Sequence, residues 1–296
     1  MRICVIFNPA ARGDKARHFR HHLNEIGGKS VLKATAGPGD ARRLAAEAVA
    51  EKFDVVVAAG GDGTLNEVLN GIGDAPAGFE TTRLAVLPLG TVNVFARELK
   101  IPFRVDKAWD VVQCGKELKI DLPRAEFSVD GARKKVYFAQ LAGAGLDARA
   151  IELMDFSLKK KIGPLAYVVA GFKALRERRP MVTVLAGGRT VSGELVLIGN
   201  GRLYGGTFEI FPGAKLSDGL LDICVFPKTN WLTLLRCIPN LLVSRRLPKT
   251  GVESVQAASF ELSGEAPAAF ELEGEWMGRL PVTFSIERER LRVIAP

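Results

Sequence analysis

The first 120 or so residues alternate between short, continuously apolar runs and segments with helical spacing. The runs Ile3 to Phe7, Val55 to Ala59 and Leu84 to Leu87 contain no polar side chain apart from one cysteine. Helical segments lie between them, such as Asp40 to Lys52, which is rich in Ala and begins with a capping Asp. Strands that are apolar on both faces need cover on both faces, so the pattern predicts a parallel sheet between layers of helices. Such sheets bind ligands at the carboxyl ends of their strands.

After Asp121 the pattern changes to short alternating segments that are rich in β-branched residues and separated by turns. This pattern is typical of an antiparallel sandwich or barrel, here with two helical insertions, about Ile151 to Glu177 and Trp231 to Val243. We therefore expect an α/β plus β architecture. An N-terminal α/β domain would span residues 1–122 and a β-sandwich-like domain residues 123–296, with the last ~10 residues free to return to the first domain. The segments expected to form strands are Lys135 to Leu141, Val182 to Ala186, Thr190 to Ile198, Leu221 to Phe226, Ser254 to Leu262, Ala269 to Leu272 and Val282 to Ile286.

Composition is that of a globular protein. Of the 296 residues, 47% are hydrophobic and 25% are charged, which is too apolar for a disordered chain and too evenly charged for a multi-span membrane protein. The longest apolar candidate, Trp231 to Val243, is interrupted by Arg236 and Pro239. The N-terminal run is too short for a signal peptide, and four scattered cysteines suggest neither a zinc site nor a disulfide framework. We expect a cytoplasmic protein.

The net charge of +8 is concentrated in the middle of the chain. Residues 151–250 hold 15 Lys and Arg against 7 Asp and Glu, in clusters such as Lys159-Lys160-Lys161 and Arg245-Arg246 that alternate with apolar segments. Such a surface suits anionic phosphates of lipid headgroups or of nucleic acid. A solvated face on a basic protein is the commoner explanation of a charge run.

A glycine-rich segment, Gly60-Gly61-Asp62-Gly63-Thr64-Leu65-Asn66-Glu67, follows a buried strand and opens a helix. Glycines let the backbone approach a phosphate, and the free N–H groups of the first helical turn face that anion. A carboxylate in such a cradle is repulsive unless it binds a divalent metal or orients a catalytic group. Asp62 therefore suggests Mg-nucleotide chemistry. A tight turn with no ligand is the alternative for one such loop.

A second loop of the same kind, Leu87-Pro88-Leu89-Gly90-Thr91-Val92-Asn93, follows another strand, and Asn8-Pro9 ends the first strand. Three polar loops should thus converge at one edge of the sheet. Other phosphate motifs fail: the chain has no G-x-G-x-x-G, and Gly28-Lys29-Ser30 lacks the first glycine of a P-loop because Leu23 occupies that position. A Rossmann oxidoreductase and a P-loop NTPase are both disfavoured.

These two loops, GGDGTLNEVLNGI and LPLGTVNVFAREL, resemble the nucleotide-binding loops of the diacylglycerol-kinase-type lipid kinases, a family that includes bacterial lipid kinases, sphingosine kinases and ceramide kinases. The resemblance runs over nearly the whole chain. Asn200, Gly205-Gly206 and the segment Pro212 to Asp222 are similar to the family's second-domain pattern of Pro, Ala and Asp-Gly-x-Leu-Asp. The Gly-Gly-Asp-Gly-Thr loop alone is shared with phosphofructokinases and NAD kinases.

The resemblance implies a two-domain kinase that binds ATP on the α/β domain, with the active site between the domains. Asp62 would work on the Mg-phosphate side. Lys215, Asp218 and Leu220 match the family's structural Mg²⁺ site, in which Asp218 offers a carboxylate and the other two their carbonyl oxygens. From spacing alone that segment would be a hairpin turn. The nucleotide-contacting positions implied are Asn8, Thr35, Gly60, Gly61, Asp62, Gly63, Thr64, Leu65, Asn66 and Thr91.

One position departs from the family pattern. Bacterial members usually have Asp-Gly-Glu near the C-terminus, and its Asp is taken as the base for the lipid hydroxyl; here Glu273 precedes Gly274 and Glu275. Glu273 keeps the carboxylate on a longer side chain. The alternative is that Glu271, Glu273 and Glu275 alternate onto the exposed face of an edge strand. The negative charges of three neighbouring glutamates should raise the pKa of at least one of them, and a general base needs such a raised pKa.

The sequence therefore predicts an ATP- and Mg²⁺-dependent lipid kinase that phosphorylates a hydroxyl of a diacylglycerol-like or sphingoid lipid. Glu273 and Asp62 would be its catalytic residues. We expect peripheral association with an anionic membrane surface at the inner face of the membrane and no nucleic-acid partner. A kinase of a soluble hydroxyl substrate such as NAD, or a catalytically impaired nucleotide- or lipid-binding regulator, are the alternatives. The sequence specifies neither the acceptor lipid nor the oligomeric state.

Overall fold

A computed structural model describes residues 1–9, 14–153, 173–174, 177, 179–248, 250–265 and 268–296. The basic cluster Lys159-Lys160-Lys161 and most of the expected helical insertion from Ile151 to Glu177 lie outside the described residues.

The N-terminal part contains four parallel strands in the order β2-β1-β3-β4. The apolar runs account for this sheet, because every residue of the third strand is buried. The four strands are β1 (Ile3–Phe7), β2 (Val31–Ala34), β3 (Val55–Gly60) and β4 (Arg83–Pro88). The helices are α1 (Asp14–Gly27), α2 (Asp40–Ala50), α3 (Asp62–Asp74), α4 (Gly78–Thr81), α5 (Val94–Glu98) and α6 (Val105–Cys114).

Two long strands extend this sheet. β5 (Lys116–Val129) and β18 (Val282–Ala295) pair antiparallel, from Val282 opposite Phe127 to Ala295 opposite Lys116. The pairing is interrupted by a bulge between Glu287 and Leu291. Near its end β18 also pairs parallel with β4, Val293 lying opposite Leu84. The expected domain boundary at residue 122 falls inside β5, so the division itself stays a prediction.

The C-terminal part is built from antiparallel strands and matches the predicted β-sandwich-like fold. One sheet continues from β18 through β15, β8 and β9, and a second has the order β14-β13-β10-β7-β16-β17. The remaining strands are β6 (Ala132–Tyr137), β7 (Leu141–Gly145), β8 (Val182–Ala186), β9 (Arg189–Gly193), β10 (Leu195–Gly199), β11 (Leu203–Tyr204), β12 (Phe208–Glu209), β13 (Leu221–Phe226), β14 (Glu253–Ala257), β15 (Ser259–Gly264), β16 (Ala269–Leu272) and β17 (Glu275–Arg279). Two further helices are α7 (Leu146–Glu152) and α8 (Trp231–Val243).

Apolar side chains of the two sheets form the core of the C-terminal part. Phe138, Phe270 and Phe284 are fully buried, with the rings of Phe138 and Phe284 packed edge to face at 5.9 Å. This face-to-face burial holds together strands that come from distant parts of the chain.

Several predicted strands are two strands in the structure. The segment Thr190 to Ile198 divides into β9 and β10, and Ser254 to Leu262 divides into β14 and β15. Lys135 to Leu141 contributes to β6 and β7, which belong to different sheets. Apolar alternation continues across each break, so periodicity alone did not reveal where the chain changes sheets or partners.

Candidate functional site: a glycine cradle facing a buried glutamate

The carboxyl ends of the parallel strands bring the predicted polar loops to one edge of the sheet. Asn8 follows β1, Thr35 follows β2, and the glycine loops follow β3 and β4. The main-chain N–H of Thr35 donates to the carbonyl of Phe7 at 2.9 Å, which continues the β1–β2 pairing into this edge. Asn8 and Thr91 are exposed, and Thr35 is half-buried.

The two glycine loops, residues 60–67 and 87–93, pack backbone against backbone and together form what we call the glycine cradle. The carbonyl of Gly60 accepts hydrogen bonds from the N–H groups of Leu89 at 2.9 Å and Gly90 at 3.1 Å. A Cβ on Gly90 would lie only 2.5 Å from the Cα of Gly61, so a larger residue there would push the loops apart. At the start of α3, Gly61 is the N-cap and has no side-chain capping bond. The N-terminus of α3 thus offers an anion both free N–H donors and the positive end of the helix dipole.

The predicted nucleotide-contacting residues within α3 differ in their surroundings. Gly63 and Thr64 are half-buried near its start, whereas Leu65 and Asn66 are buried. The side-chain oxygen of Asn66 accepts a hydrogen bond from Asn70 Nδ2 at 3.1 Å. The side chain of Asn66 is therefore held within α3 by its contact with Asn70. The other residues of this loop lie together at the carboxyl edge of the sheet.

Asp62 connects the two glycine loops. Its Oδ1 accepts a hydrogen bond from the main-chain N–H of Val94 at 2.8 Å, at the start of α5. Burial raises the pKa of this carboxyl, although the N–H groups of Val94, Asn93 and Phe95 act in the opposite direction. One carboxylate thus lies at the beginnings of two helices, α3 and α5.

Glu273 occupies the tip of a two-residue β-hairpin between β16 and β17. Leu272 pairs with Glu275, and the two residues between them, Glu273 and Gly274, have φ angles of 53° and 80°. Both lie in the left-handed region, as in the type I′ turn that favours Asn, Asp or Gly at its first position. Glu is unfavourable at such a φ, by about 1–2 kcal/mol. The structure therefore places an unusual residue in a strained position.

The carboxylate of Glu273 is buried, and only one of its two oxygens has hydrogen-bond partners. Its Oε1 accepts hydrogen bonds from the main-chain N–H groups of Ala139 at 2.7 Å and Gln140 at 2.6 Å. Its Oε2 is buried without a hydrogen-bond partner. Burial raises the pKa of Glu273 to about 8; the negative charge of Asp62 acts in the same direction, and the N–H bonds oppose it. Glu273 and Asp62 are thus close enough to influence each other's ionisation.

The alternative of three exposed glutamates on one strand face is wrong. Glu271 is fully buried and Glu273 is 8% exposed, because the hairpin turn interrupts the strand after Leu272. The expected rise in pKa does occur at Glu271 and Glu273, but its largest cause is burial and not clustered charge. Only Glu275 is exposed. Its Oε1 would lie 2.9 Å from a Cβ added to Gly63, so the hairpin reaches over the start of α3.

The predicted Mg²⁺-binding segment forms a tight turn before β13. Asp218 Oδ1 accepts a hydrogen bond from the N–H of Leu220 at 3.0 Å, while Lys215 is exposed. Burial raises the pKa of the nearby Asp222 to about 6, with a contribution from the charge of Asp218. Asp222 Oδ2 is buried without a hydrogen-bond partner. Among the residues that the structure describes, no group of three or more His, Cys, Asp and Glu side chains is arranged to hold a metal ion.

Sequence reasoning missed Asp121, which fixes this turn. Asp121 is fully buried, and its Oδ2 accepts a hydrogen bond from Gly219 N–H at 2.6 Å. Its Oδ1 accepts from the N–H of Glu289 at 2.8 Å, at the bulge of β18. The only sequence signal was an Asp at the point where the hydrophobic pattern changes, because its partners are far away in the chain.

A second cluster that sequence reasoning missed lies beneath the hairpin. Tyr204 Oη is 2.6 Å from Asp147 Oδ2 and 3.0 Å from Glu271 Oε1. Glu271 Oε2 accepts a hydrogen bond from the N–H of Gly274 at 2.6 Å. No short motif joins Asp147, Tyr204 and Glu271, so local spacing gave no indication of this cluster.

Two family profiles and several curated proteins match this chain. Residues 2–125 match the family profile described as the diacylglycerol kinase catalytic domain, and residues 140–295 match the YegS C-terminal NAD kinase beta sandwich-like domain. A diacylglycerol kinase of Staphylococcus aureus strain MRSA252 is 31% identical over 303 residues, which cover 99% of this chain and 91% of that protein. For the same enzyme of strain Newman the identity is 33% over 281 residues, covering 93% and 84%.

Solved structures share the fold. The crystal structure of a diacylglycerol kinase from Bacillus anthracis str. Sterne superimposes with a TM-score of 0.78 at 23% identity, covering 100% of this chain and 97% of that one. Yeast NADH kinase complexed with NADH gives a TM-score of 0.58 at 9% identity, covering 100% and 84%. From the sequence matches over both halves, the chain belongs to the diacylglycerol kinase family of lipid kinases, enzymes that transfer a phosphoryl group to a hydroxyl group.

Proposed function

We propose that this kinase uses ATP and Mg²⁺ to phosphorylate a hydroxyl group of a diacylglycerol-like or sphingoid lipid. The observation that carries the proposal is the buried, unpartnered Oε2 of Glu273 on a hairpin that reaches over the glycine cradle. A phosphoryl-transfer site needs phosphate positioning, charge neutralisation and one group that takes the hydroxyl proton. The glycine cradle, Asp62 and Glu273 supply groups of these three kinds.

The phosphates of ATP would lie against the loops that follow β3 and β4. The start of α3 offers uncapped N–H groups, and the close contact of Gly61 with Gly90 keeps side chains out of the space beside them. Asn8, Thr35 and Thr91 lie on loops at the same edge, where the rest of the nucleotide would bind. This placement follows the general rule for ligands of open parallel sheets.

The donor chemistry near the cradle fits Mg²⁺. Asp62 contributes carboxylate oxygens, which Mg²⁺ prefers together with the oxygens of substrate phosphates. Asp218 and the unpartnered Asp222 Oδ2 would supply a second set of oxygen donors in the C-terminal part, to which Lys215 and Leu220 would add their carbonyl groups. Bound Mg²⁺ would supply neutralisation of the phosphate charge.

Glu273 would act as the general base. Three main-chain N–H groups, those of Ala139, Gln140 and Leu141, hold Oε1 in place, which leaves Oε2 to accept the proton of the lipid hydroxyl. A pKa of about 8 is well above that of an ordinary carboxyl and nearer to neutral pH, where a base is most effective. This environment favours a working enzyme over the alternative of a regulator that has lost catalysis.

A surface helix favours a lipid over a soluble acceptor such as NAD. Along α8, Leu232, Leu235 and Val243 are 55%, 69% and 88% exposed, and their spacing places them on one face of the helix. Exposed Arg236 on this helix and Arg245 after it add positive charge. An apolar stripe beside basic side chains fits the interface of an anionic bilayer. Among the described residues, no helix is long and apolar enough to cross a membrane.

The direct test is turnover. The purified chain is incubated with labelled ATP, Mg²⁺ and separate vesicles that contain diacylglycerol, sphingosine or ceramide, and with NAD as the soluble acceptor. We expect label in one lipid class and none in NAD. Label in NAD alone would support the NAD-kinase alternative, and a chain that binds ATP and vesicles but transfers no label would support the regulator.

A further inference from the structure

Three oxygen atoms from distant parts of the chain meet beneath the hairpin of Glu273. Tyr204 Oη lies 2.6 Å from Asp147 Oδ2 and 3.0 Å from Glu271 Oε1. Gly143 of β7 leaves room for them, because an added Cβ would lie 2.8 Å from Tyr204 Oη and 2.9 Å from Glu271 Oε1. Because these three groups are in contact, their hydrogen bonds show how many protons they hold.

One hydroxyl proton cannot serve both contacts. A tyrosine hydroxyl donates one hydrogen bond, and an ionised carboxylate only accepts. Both short contacts are hydrogen bonds only if one of the two carboxyl groups carries a proton and donates it. Burial raises the pKa of Asp147 and of Glu271, and the charge of Asp147 raises that of Glu271 further, which favours the same state.

The other oxygen of Glu271 reaches the hairpin that carries Glu273. Oε2 accepts a hydrogen bond from the N–H of Gly274 at 2.6 Å, next to Glu273. Glu273 has a φ of 53°, which is unfavourable for this residue, so the turn depends on contacts that hold it in place. The N–H of Glu273 donates to the carbonyl of Leu141 at 3.0 Å on one side, and Glu271 holds the other side.

We propose that Asp147 and Glu271 share one proton through Tyr204, and that Glu271 in this state is a positioning residue for the turn that carries Glu273. The inference rests on the proposed function, since it concerns how the general base is held. In the described part of the chain, the titratable groups that face the pair are Tyr204 and Glu273. With one shared proton the pair carries a single negative charge.

Amide variants test the count of protons. In Glu271→Gln the amide donates toward Tyr204 or Asp147 and its oxygen still accepts from Gly274, while Asp147 keeps the single charge. Asp147→Asn likewise leaves one charge, on Glu271. Each single variant should therefore keep the wild-type midpoint of the pH profile of kcat/KM. The double variant removes the charge that faces Glu273, so its midpoint should move to lower pH by about one unit.

Loss of the positioning contact is tested by Glu271→Ala. We expect kcat for the lipid acceptor to fall by about 10²-fold with the KM for ATP unchanged, because a shift of roughly 1 Å in a reacting group is enough for such a loss. Glu271→Gln should restore most of kcat. A role limited to folding would lower the melting temperature of both variants and would leave the pH midpoint of the double variant where it is.

The outcomes separate this inference from the proposed function. If Glu273→Gln turns over lipid like the wild type, the proposed base is wrong and the inference falls with it. If Glu273→Gln is inactive but Glu271→Ala has normal kcat, only the inference is wrong. If each single amide variant shifts the pH midpoint by about half as much as the double variant does, the pair carries two charges and shares no proton, and the inference is wrong.

Discussion

The carboxylate of Asp62, in the first turn of α3, accepts a hydrogen bond from the main-chain N–H of Val94, in the first turn of α5. The two helices begin in the two glycine loops, so this bond joins the loops that the sequence places far apart. An Asp here satisfies a helix N–H and also carries charge toward the cradle. Substitutions can separate these two roles.

Asp62→Asn should keep the bond to Val94 and remove the charge. We expect the melting temperature to stay close to that of the wild type and lipid phosphorylation to fall by about 10²–10³-fold, as for loss of one preorganised electrostatic group. Asp62→Ala removes the bond as well and should destabilise the fold by about 1 kcal/mol. Activity assays and thermal unfolding of both variants measure this; normal turnover by Asp62→Asn would contradict the assigned role.

Glu273→Gln should lower kcat by about 10²–10⁴-fold while ATP affinity is retained, because the amide has the same shape and no basicity. Glu273→Asp should keep activity or raise it, since Asp suits the left-handed turn better than Glu. Exposed Glu275 provides the matched control, and Glu275→Gln should stay close to the wild-type kcat. The base would be reassigned to Glu275 if these two Gln variants behaved in the opposite way.

The raised pKa of Glu273 also predicts how stability changes with pH. The folded state holds this proton up to a pKa of about 8, whereas the unfolded chain releases it near the ordinary value for Glu. Stability is therefore lost as pH rises between these two values. Glu273→Gln removes that loss, so its gain in melting temperature over the wild type should be larger at pH 8.5 than at pH 5. An equal difference at both pH values would be inconsistent with a buried carboxyl that ionises.

Asp218→Ala tests the second set of oxygen donors. If this turn binds Mg²⁺ apart from the nucleotide, the variant should have lower activity and a weaker response to free Mg²⁺, with little change in the KM for ATP. Ser217→Ala, at the exposed neighbouring position, is the control and should respond as the wild type does. An Mg²⁺ dependence that Asp218→Ala leaves unchanged would make this segment a plain turn.

The exposed face of α8 should contact membranes. Leu235→Gln and Val243→Gln should each weaken pelleting with anionic vesicles, and binding should fall as salt rises. Neutralising Arg236, or the cluster Lys159-Lys160-Lys161, should weaken binding by about 1 kcal/mol per charge. Leu185, which is 49% exposed on β8, supplies the control variant Leu185→Gln. Equal binding to neutral and anionic vesicles would speak against the electrostatic part.

The sequence predicted the elements whose signals are local. The apolar runs predicted β1, β3 and β4, and the glycine loops after them lie at one sheet edge, as expected. Val182–Ala186, Leu221–Phe226 and Trp231–Val243 have the predicted bounds. Strand breaks such as that at Glu194 were missed because β-branched residues continue on both sides of it.

The surroundings of the candidate base could not be predicted in the same way. Alternation placed Glu271, Glu273 and Glu275 on one face, and Glu-Gly is not one of the pairs, such as Asn-Gly or Asp-Gly, that indicate a two-residue hairpin. The contacts of Glu273 with Ala139 and Gln140, like those of Asp121 with Gly219, join residues far apart in the chain. Pairings of this kind depend on the assembled sheets and leave no short motif.

The pairing of β5 with β18 has a mechanical consequence. These two strands form one continuous ribbon that runs from the edge of the parallel strands into the sandwich. The two halves are therefore not joined by a flexible linker about which they could rotate independently. Any movement of one half away from the other must twist the ribbon, and the weakest point of the ribbon is the bulge between Glu287 and Leu291, where the ladder is interrupted. Separation of the halves would break the ladder itself, so heating should melt both in one cooperative step.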